Sequence, residues 1–300
     1  MDRLKTGLPP FGARFGRHGS VLMSALLIGA IAYELSRLGL PGELTRVPTS
    51  PGFWLAFTFY FWGSPFIEWL IVRRLWQAPW SGFGAVLRKM IYNELVLSYL
   101  GDAYFFAWIR RELPHVAAPF AVVKDMAIIS ALMGSLGTLV AIAIVWPLFP
   151  AFDRTGLGSP LVLCLAVALA SGGAIAFFRK SLLSLSRPEI LWIAGAFGVR
   201  IVGQSLCAVF MWWSLLPQVP LTTWIVLTAV RMVSARLPLV PSKDLAFAAA
   251  AVALVGPHTP VAPMIVLVTT LILLANVALA ILLSLDGWAR GLAKGREAAA

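Results

Sequence analysis

Apolar residues in this chain gather into long uninterrupted runs, and polar residues fall between the runs rather than alternating within them. Six runs approach or exceed the roughly 20 residues that a helix needs to cross a bilayer: Val21–Leu38, Phe53–Val72, Pro119–Leu148, Ser159–Phe178, Ile190–Leu216 and Met264–Leu285. Two further regions, 82–113 and 221–256, are helical in pattern but interrupted near their middles. The first interruption falls at Gly101, and the second at the Pro238 to Pro241 step of RLPLVPSKD. Glycine and proline at such positions end or bend a helix. The expected fold is an all-α polytopic membrane protein with about six full transmembrane helices and two re-entrant helical hairpins.

Composition agrees with the pattern. Hydrophobic residues make up 60% of the 300 and charged residues 12%, more apolar surface than one soluble core could hide. The net charge of +11 does not mark a nucleic-acid surface, because the basic residues stand at the ends of apolar runs, where they act as topology signals. Arg3, Lys5, Arg14 and Arg17 precede VLMSALLIGAIAYEL with no small-residue cleavage site after it. An uncleaved first span is therefore expected.

Charge also bears on the interrupted regions. If both double back, Arg73, Arg74, Arg88, Lys89, Arg110, Arg111, Arg179, Lys180 and Arg187 share one side with the two tails, and the opposite loops keep only Arg46 and Arg154. By the positive-inside bias, both termini are expected in the cytoplasm; the bacterial inner membrane is the location that goes with the family resemblance given below. Crossing straight through would carry Asp102, or Lys243 with Asp244, into lipid at several kcal/mol each. Re-entry gives the order span, span, hairpin, span twice, in opposite orientations. The expected organisation is a tail at 1–20, a first repeat at 21–148 with hairpin 82–113, an inverted second repeat at 149–286 with hairpin 221–256, and a tail at 287–300. Inverted repeats with broken helices place ligand sites at mid-depth, between the halves.

Irregular backbone at membrane depth survives only beside protein or water, so the two hairpin tips imply a polar cavity. Gly101 frees the chain and Asp102 caps the returning half-helix; after Pro241, Ser242 caps the next helix and Asp244 lies in its first turn. Helix N-termini aimed at mid-membrane attract anions such as phosphate. Arg200 and Gln204 lie one turn apart inside a span, Arg231, Arg236 and Lys243 lie in the second hairpin, and Lys124 opens the third span. A cation inside a span costs roughly 2.5 to 3.5 kcal/mol, so these need partners or a polar cavity.

Plainer readings stand beside these. Asp102 and Asp244 read simply as caps, and the Arg73–Arg74, Arg110–Arg111 and Arg179–Lys180 pairs as interfacial anchors. Glu68 with Arg73, and Glu34 with Arg37, read as helix-end pairs at the interface. Tyr104, Phe105, Phe106, Trp108, Trp212 and Trp213 read as interfacial or lipid-packing aromatics. Glu94 and Asp102 are eight positions apart, about two turns on one face of an unbroken helix, so they also suggest a general acid and base, although no nucleophile with an orienting base accompanies them. Cys164 and Cys207 sit inside apolar runs as buried small side chains. His18, His115 and His258 have no metal-ligand spacing, and no nucleotide loop or hydrolase motif is present, so neither metal nor cofactor is expected.

The run NELVLSYLGDAYFFAWIRR, followed by AVVKDMAIISALMGSLGTL and AVRMVSARLPLVPSKDLAF, resembles the flippase-like membrane region of the lysylphosphatidylglycerol synthase family. Asn93, Glu94, Gly101, Asp102 and Arg110 match its first hairpin pattern in order. Pro238, Pro241 and Asp244 match the second, without that turn's glycines and with Lys243 beside the acid. The resemblance implies movement of a lipid or lipid-linked head group between leaflets, not lipid synthesis, which belongs to a soluble aminoacyl-transfer domain without counterpart in these residues. The expected partner is a membrane lipid with an anionic head group, and a homodimer is left open. The competing readings are a membrane enzyme acting on a lipid-linked substrate and a non-catalytic subunit of an envelope-lipid assembly.

Overall fold

The computed structural model describes residues 48–96, 100–113, 119–147, 183–236, 243–256 and 258–297. The expected spans at 21–38 and 159–178 lie outside these residues, as do the N-terminal tail, Glu34 and Arg37, Pro238, Pro241 and Ser242. The described residues form eight helices: α1 Pro51–Trp76, α2 Ser81–Leu95, α3 Leu100–Glu112, α4 Pro119–Val145, α5 Arg187–Leu215, α6 Leu221–Ser234, α7 Lys243–Val255 and α8 Val261–Glu297.

Length divides them into two kinds. Helices α1, α4, α5 and α8 each hold an apolar stretch of 26 to 29 residues, enough to cross a membrane, and the chain is a helical membrane protein on that basis. Helices α2, α3, α6 and α7 have 15, 13, 14 and 13 residues, or about 20 Å at 1.5 Å per residue, and fall short of the hydrocarbon's ~30 Å. Both interrupted regions are thus two short helices, as their breaks suggested. Helix α8 departs from the expected pattern, because it runs on through the polar segment after Gly287 instead of ending in a tail.

Local chemistry sets the ends. Gln77 adopts φ 51°, a left-handed stop for α1, after Arg73 and Arg74 in its last turn, where cations complement the helix dipole. Helix α5 opens on a capping box, in which Glu189 accepts hydrogen bonds from the Ser186 N–H at 3.0 Å and the Ser186 hydroxyl at 2.6 Å. Asp125 of α4, fully buried, accepts from the N–H groups of Ser184 and Leu185 at 2.6 and 2.8 Å and ties this entry to α4.

Helix α1 packs along α5 as the central pair. Helix α2 packs on α1, α3 and α8, while α6 packs on α5, α7 and α4. Helices α2 and α3 run antiparallel: Trp108, late in α3, covers Gly82 at the start of α2, and Gly101, early in α3, meets the Lys89 carbonyl further along α2. A Cβ on Gly101 would overlap that backbone oxygen. The glycine serves close approach: α2 ends at Leu95 and α3 begins at Leu100, so Gly101 stands inside α3.

Two apolar clusters occupy opposite ends of the central pair. One joins Phe53, Ala56 and Tyr60 of α1 to Ala208, Met211 and Trp212 of α5, with α6, α7 and the start of α8. The other joins Trp69 to Trp76 of α1 with Ile193 and Phe197 of α5, with α2, α3 and the start of α4. Trp212 and Phe105, expected to face lipid, belong to these cores instead. Leu55, Phe59, Leu136, Val140, Val199, Val202, Leu206 and Leu282 form the exposed apolar exterior, as helices in lipid require.

Replacing Gly101 by alanine is expected to cost about 1 to 3 kcal/mol, the usual range for overpacking. Gly63→Ala, where nothing lies within 4 Å, should leave stability essentially unchanged. Thermal unfolding of the two variants in detergent compares them.

Candidate functional site

Between the two apolar clusters the long helices carry their polar residues. Tyr60 and Glu68 flank the middle of α1, Ser130 and Gly134 lie midway along α4, and Arg200 and Gln204 midway along α5. The ends of the four short helices meet this belt, which divides into two clusters of different character.

The first is closed. Lys89 of α2, 8% exposed, forms ion pairs with Glu68 of α1 and with Asp102 of α3, the latter at 2.8 Å. Asn93 completes it: its Oδ1 accepts from the Gly101 N–H at 2.8 Å and its Nδ2 donates to Asp102 at 3.2 Å. The side chain at the N-terminus of α3 is therefore Asn93, whereas Asp102, expected as the cap, is drawn to the Lys89 ammonium. Phe105 lies 5.4 Å beneath that ammonium. Every charge here has a partner, the condition on which buried ions are tolerated. Glu68 does not pair with Arg73 at an interface. Lys89 is an interior ion and not a topology signal, while its neighbour Arg88 bridges to Asp286 of α8 at 2.8 Å.

The second is open. Arg231 of α6 donates to the Tyr60 hydroxyl at 2.8 Å and stands 5.3 Å from the centre of that ring. Its Nε is buried without a hydrogen-bond partner. Arg231, Tyr60 and Asp244 line a cavity of about 10 Å³, closed by Trp212, Phe247, Val268, Thr269 and others, which is room for about one water. Arg200 donates to Ser130 at 3.1 Å and lies over Phe197 at 4.6 Å, and its Nε is likewise buried and unpartnered. Gln204 reaches the Tyr60 carbonyl at 3.4 Å. Glu94, in the last turn of α2, is accessible and has Asp244, Lys243 and Arg200 as electrostatic neighbours. Asp244 in turn feels Arg231 and Lys243. Among the described residues, neither Glu94 nor Asp244 forms an ion pair within 4.0 Å.

The sequence-selected residues thus sort into three groups. Asn93, Gly101 and Asp102 belong to the closed cluster, and Glu94, Arg200, Gln204, Arg231, Lys243 and Asp244 to the open one. Arg110 belongs to neither: it is exposed at the far end of α3, beside the Phe106 ring at 5.8 Å. Arg236 lies against α4 at Gly134, where a Cβ would strike its guanidinium. Ser242 lies outside the described residues. Lys124 reaches Ser184 at 3.4 Å and Asp125 at 3.4 Å, supporting the entry to α5 rather than the belt. Glu94 and Asp102 differ in their partners: Asp102 is paired with Lys89 and bonded to Asn93, whereas Glu94 forms no ion pair among the described residues. Among the described residues, no three His, Cys, Asp or Glu side chains are grouped so as to hold a metal ion.

Tyr60, Glu68 and Lys89 were not selected from the sequence. One signal was available: Lys89 precedes Asp102 by 13 positions, as Arg231 precedes Asp244 (102 − 89; 244 − 231). Each short-helix pair carries a cation on its first helix and an acid in the first turn of its second.

Lys89→Met would leave Glu68 and Asp102 buried without their cation, at an expected cost of about 3 to 5 kcal/mol. Adding Glu68→Gln and Asp102→Asn should recover part of that loss, and chemical denaturation of the three proteins in detergent measures it. In comparisons with known proteins the chain matches no family model, no curated protein and no solved structure.

Proposed function

We propose that the protein is a lipid or lipid-linked head-group translocase of the bacterial inner membrane, in which an anionic head group pauses at the open cluster. The observation that carries this reading is that Arg200 and Arg231, from two helices, are held by the hydroxyls of Ser130 and Tyr60 with their Nε atoms buried and unpartnered. Arg231 is held by a neutral phenol and not by a carboxylate, so its charge stays available. Asp244 marks the first turn of α7, whose N–H groups add to the field an anion would feel.

Re-entry and inversion are part of the proposal. The pairs α2–α3 and α6–α7 are each too short to cross, and each precedes a long helix. A displacement of 142 positions carries Asp102 onto Asp244 and Pro119, the start of α4, onto Val261, the start of α8 (244 − 102; 261 − 119). Exchanging the halves exchanges most neighbours: α1–α2 with α5–α6, α2–α3 with α6–α7, α3–α4 with α7–α8, and α2–α8 with α6–α4, while α1–α5 maps onto itself; the α4–α5 and α5–α8 packings have no counterpart of similar extent among the described residues. A two-fold relation in the membrane plane, as in transporters built from inverted repeats, produces such an exchange. The likeness of the first hairpin to the lysylphosphatidylglycerol synthase membrane region points the same way. The enzyme alternative is less favoured, because Asp102 is engaged by Lys89 and Asn93.

In phosphatidylcholine liposomes carrying fluorescent phosphatidylglycerol, the wild type is expected to move label between leaflets. Arg231→Ala and Arg200→Ala, each removing a charge-assisted contact of about 1.5 to 3 kcal/mol, should slow movement by about ten- to a hundredfold. Unchanged rates in both folded variants would contradict the reading.

A further inference from the structure

The end of α1 carries two cations that no acid answers. Arg73 and Arg74 are exposed in the last turn of a helix long and apolar enough to cross the membrane. Neither forms an ion pair or a hydrogen bond among the described residues. The carboxylates of the helices packed at this end are engaged elsewhere: Glu68 with Lys89, Glu112 with Arg111, Asp125 with the N–H groups of Ser184 and Leu185, and Glu189 with Ser186. Helix α2 opens here too, directly after Trp80, with no acid in its first turn and no side-chain cap, so its dipole adds to the positive potential.

What the arginines touch instead is indole. Arg73 lies over two tryptophan rings at once, 5.1 Å from the centre of Trp69 and 5.0 Å from that of Trp80, and the two rings are 4.3 Å apart. Trp69 is buried and gives a fixed floor, whereas Trp80 is 69% exposed. Arg74 lies over Trp192 of α5 at 4.4 Å. Cations at a helix C-terminus complement its dipole, but a lysine would do that equally well and needs no ring. Contact with the rings fixes where the guanidinium sits, and its N–H donors are left without an acceptor.

The flank of α1 leading to Arg73 is apolar and exposed. Phe66, Trp62 and Phe59 precede it by 7, 11 and 14 positions (73 − 66; 73 − 62; 73 − 59), which places all of them on its face of the helix. Each is accessible, at 47%, 39% and 64%. An apolar ridge that ends on an unpaired, positioned cation matches a molecule with a long apolar part and an anionic end.

We propose that Arg73, braced by Trp69 and Trp80, is a binding site for the phosphate of an anionic membrane phospholipid whose acyl chain lies along the Phe66, Trp62 and Phe59 ridge. This site is separate from the Arg200 and Arg231 cluster and does not rest on the translocase reading. The guanidinium fork offers a phosphate two parallel N–H bonds, and Trp80 supplies an apolar ring with a polar edge at the level of the head groups.

The test is native mass spectrometry of the full chain in neutral detergent, titrated with dioleoyl phosphatidylglycerol, dioleoyl phosphatidylcholine or inorganic phosphate. Wild type should retain phosphatidylglycerol in preference to the other two. Arg73→Ala and Trp80→Ala, both at exposed positions, should each weaken the binding of one phosphatidylglycerol by about tenfold. Arg73→Lys keeps the charge without the planar fork and should lose most of that affinity too, whereas Trp80→Phe keeps a ring face and should stay near wild type. The Arg73→Ala loss should persist when Arg200 and Arg231 are both alanine. Unchanged binding in Arg73→Ala, or Arg73→Lys equal to wild type, overturns the site and leaves Arg73 a charged anchor. Phosphatidylcholine or inorganic phosphate held as tightly as phosphatidylglycerol overturns it as well, since either the anion or the apolar ridge would then contribute nothing.

Discussion

The ammonium of Lys89, held between Glu68 and Asp102, is the contact on which the first half of the bundle depends. It joins three helices at one point, α1 through Glu68, α2 through Lys89 and α3 through Asp102. Gly101 lets α3 approach close enough for the pairing, because any side chain there would strike the Lys89 backbone carbonyl. Without water to solvate them, three charges in the interior are tolerable only as a set. The same set ties down the start of α3, since Asn93 bonds both Asp102 and the Gly101 N–H. Two helices too short to cross are thereby fixed against one that does.

The second pair of short helices carries its cation and acid at the same spacing but holds them differently. Arg231 and Asp244 stand in the sequence relation of Lys89 and Asp102, yet Arg231 bonds the Tyr60 phenol and no ion pair closes between it and Asp244. A closed cluster on one side and an open one on the other is a division of labour that the physics makes intelligible. Satisfied charges hold structure, and unsatisfied charges in a low-dielectric interior are strong and available. The proposed head-group site takes its character from that difference.

Much of the architecture was legible because hydropathy acts over long windows. The spans at 53–72, 119–148, 190–216 and 264–285 all appear as long helices, and both interrupted regions resolve into short helix pairs. Of the candidate site, Arg200 was legible as a cation inside an apolar run and Asp244 as an acid in the first turn of a helix, which α5 and α7 bear out. What was not legible depends on which faces meet. Lys89 looked like one more basic residue at the end of an apolar run, and only packing on α1 shows that it points inward to Glu68. Gly101 looked like a breaker because glycine most often is one; its function is steric, and a sequence does not display the carbonyl it approaches. Arg110 matched a motif by order alone, but it is exposed at the far end of α3, away from the belt.

The central claim is that the two halves lie in the membrane in opposite orientations, bringing their short-helix tips together at mid-depth. Glu112, the last residue of α3, and His258, between α7 and α8, are both exposed. In a background with Cys164 and Cys207 replaced, a cysteine at 112 should react with a membrane-impermeant maleimide only from the cytoplasmic side, and one at 258 only from the opposite side. Labelling of both positions from the same side would contradict the account.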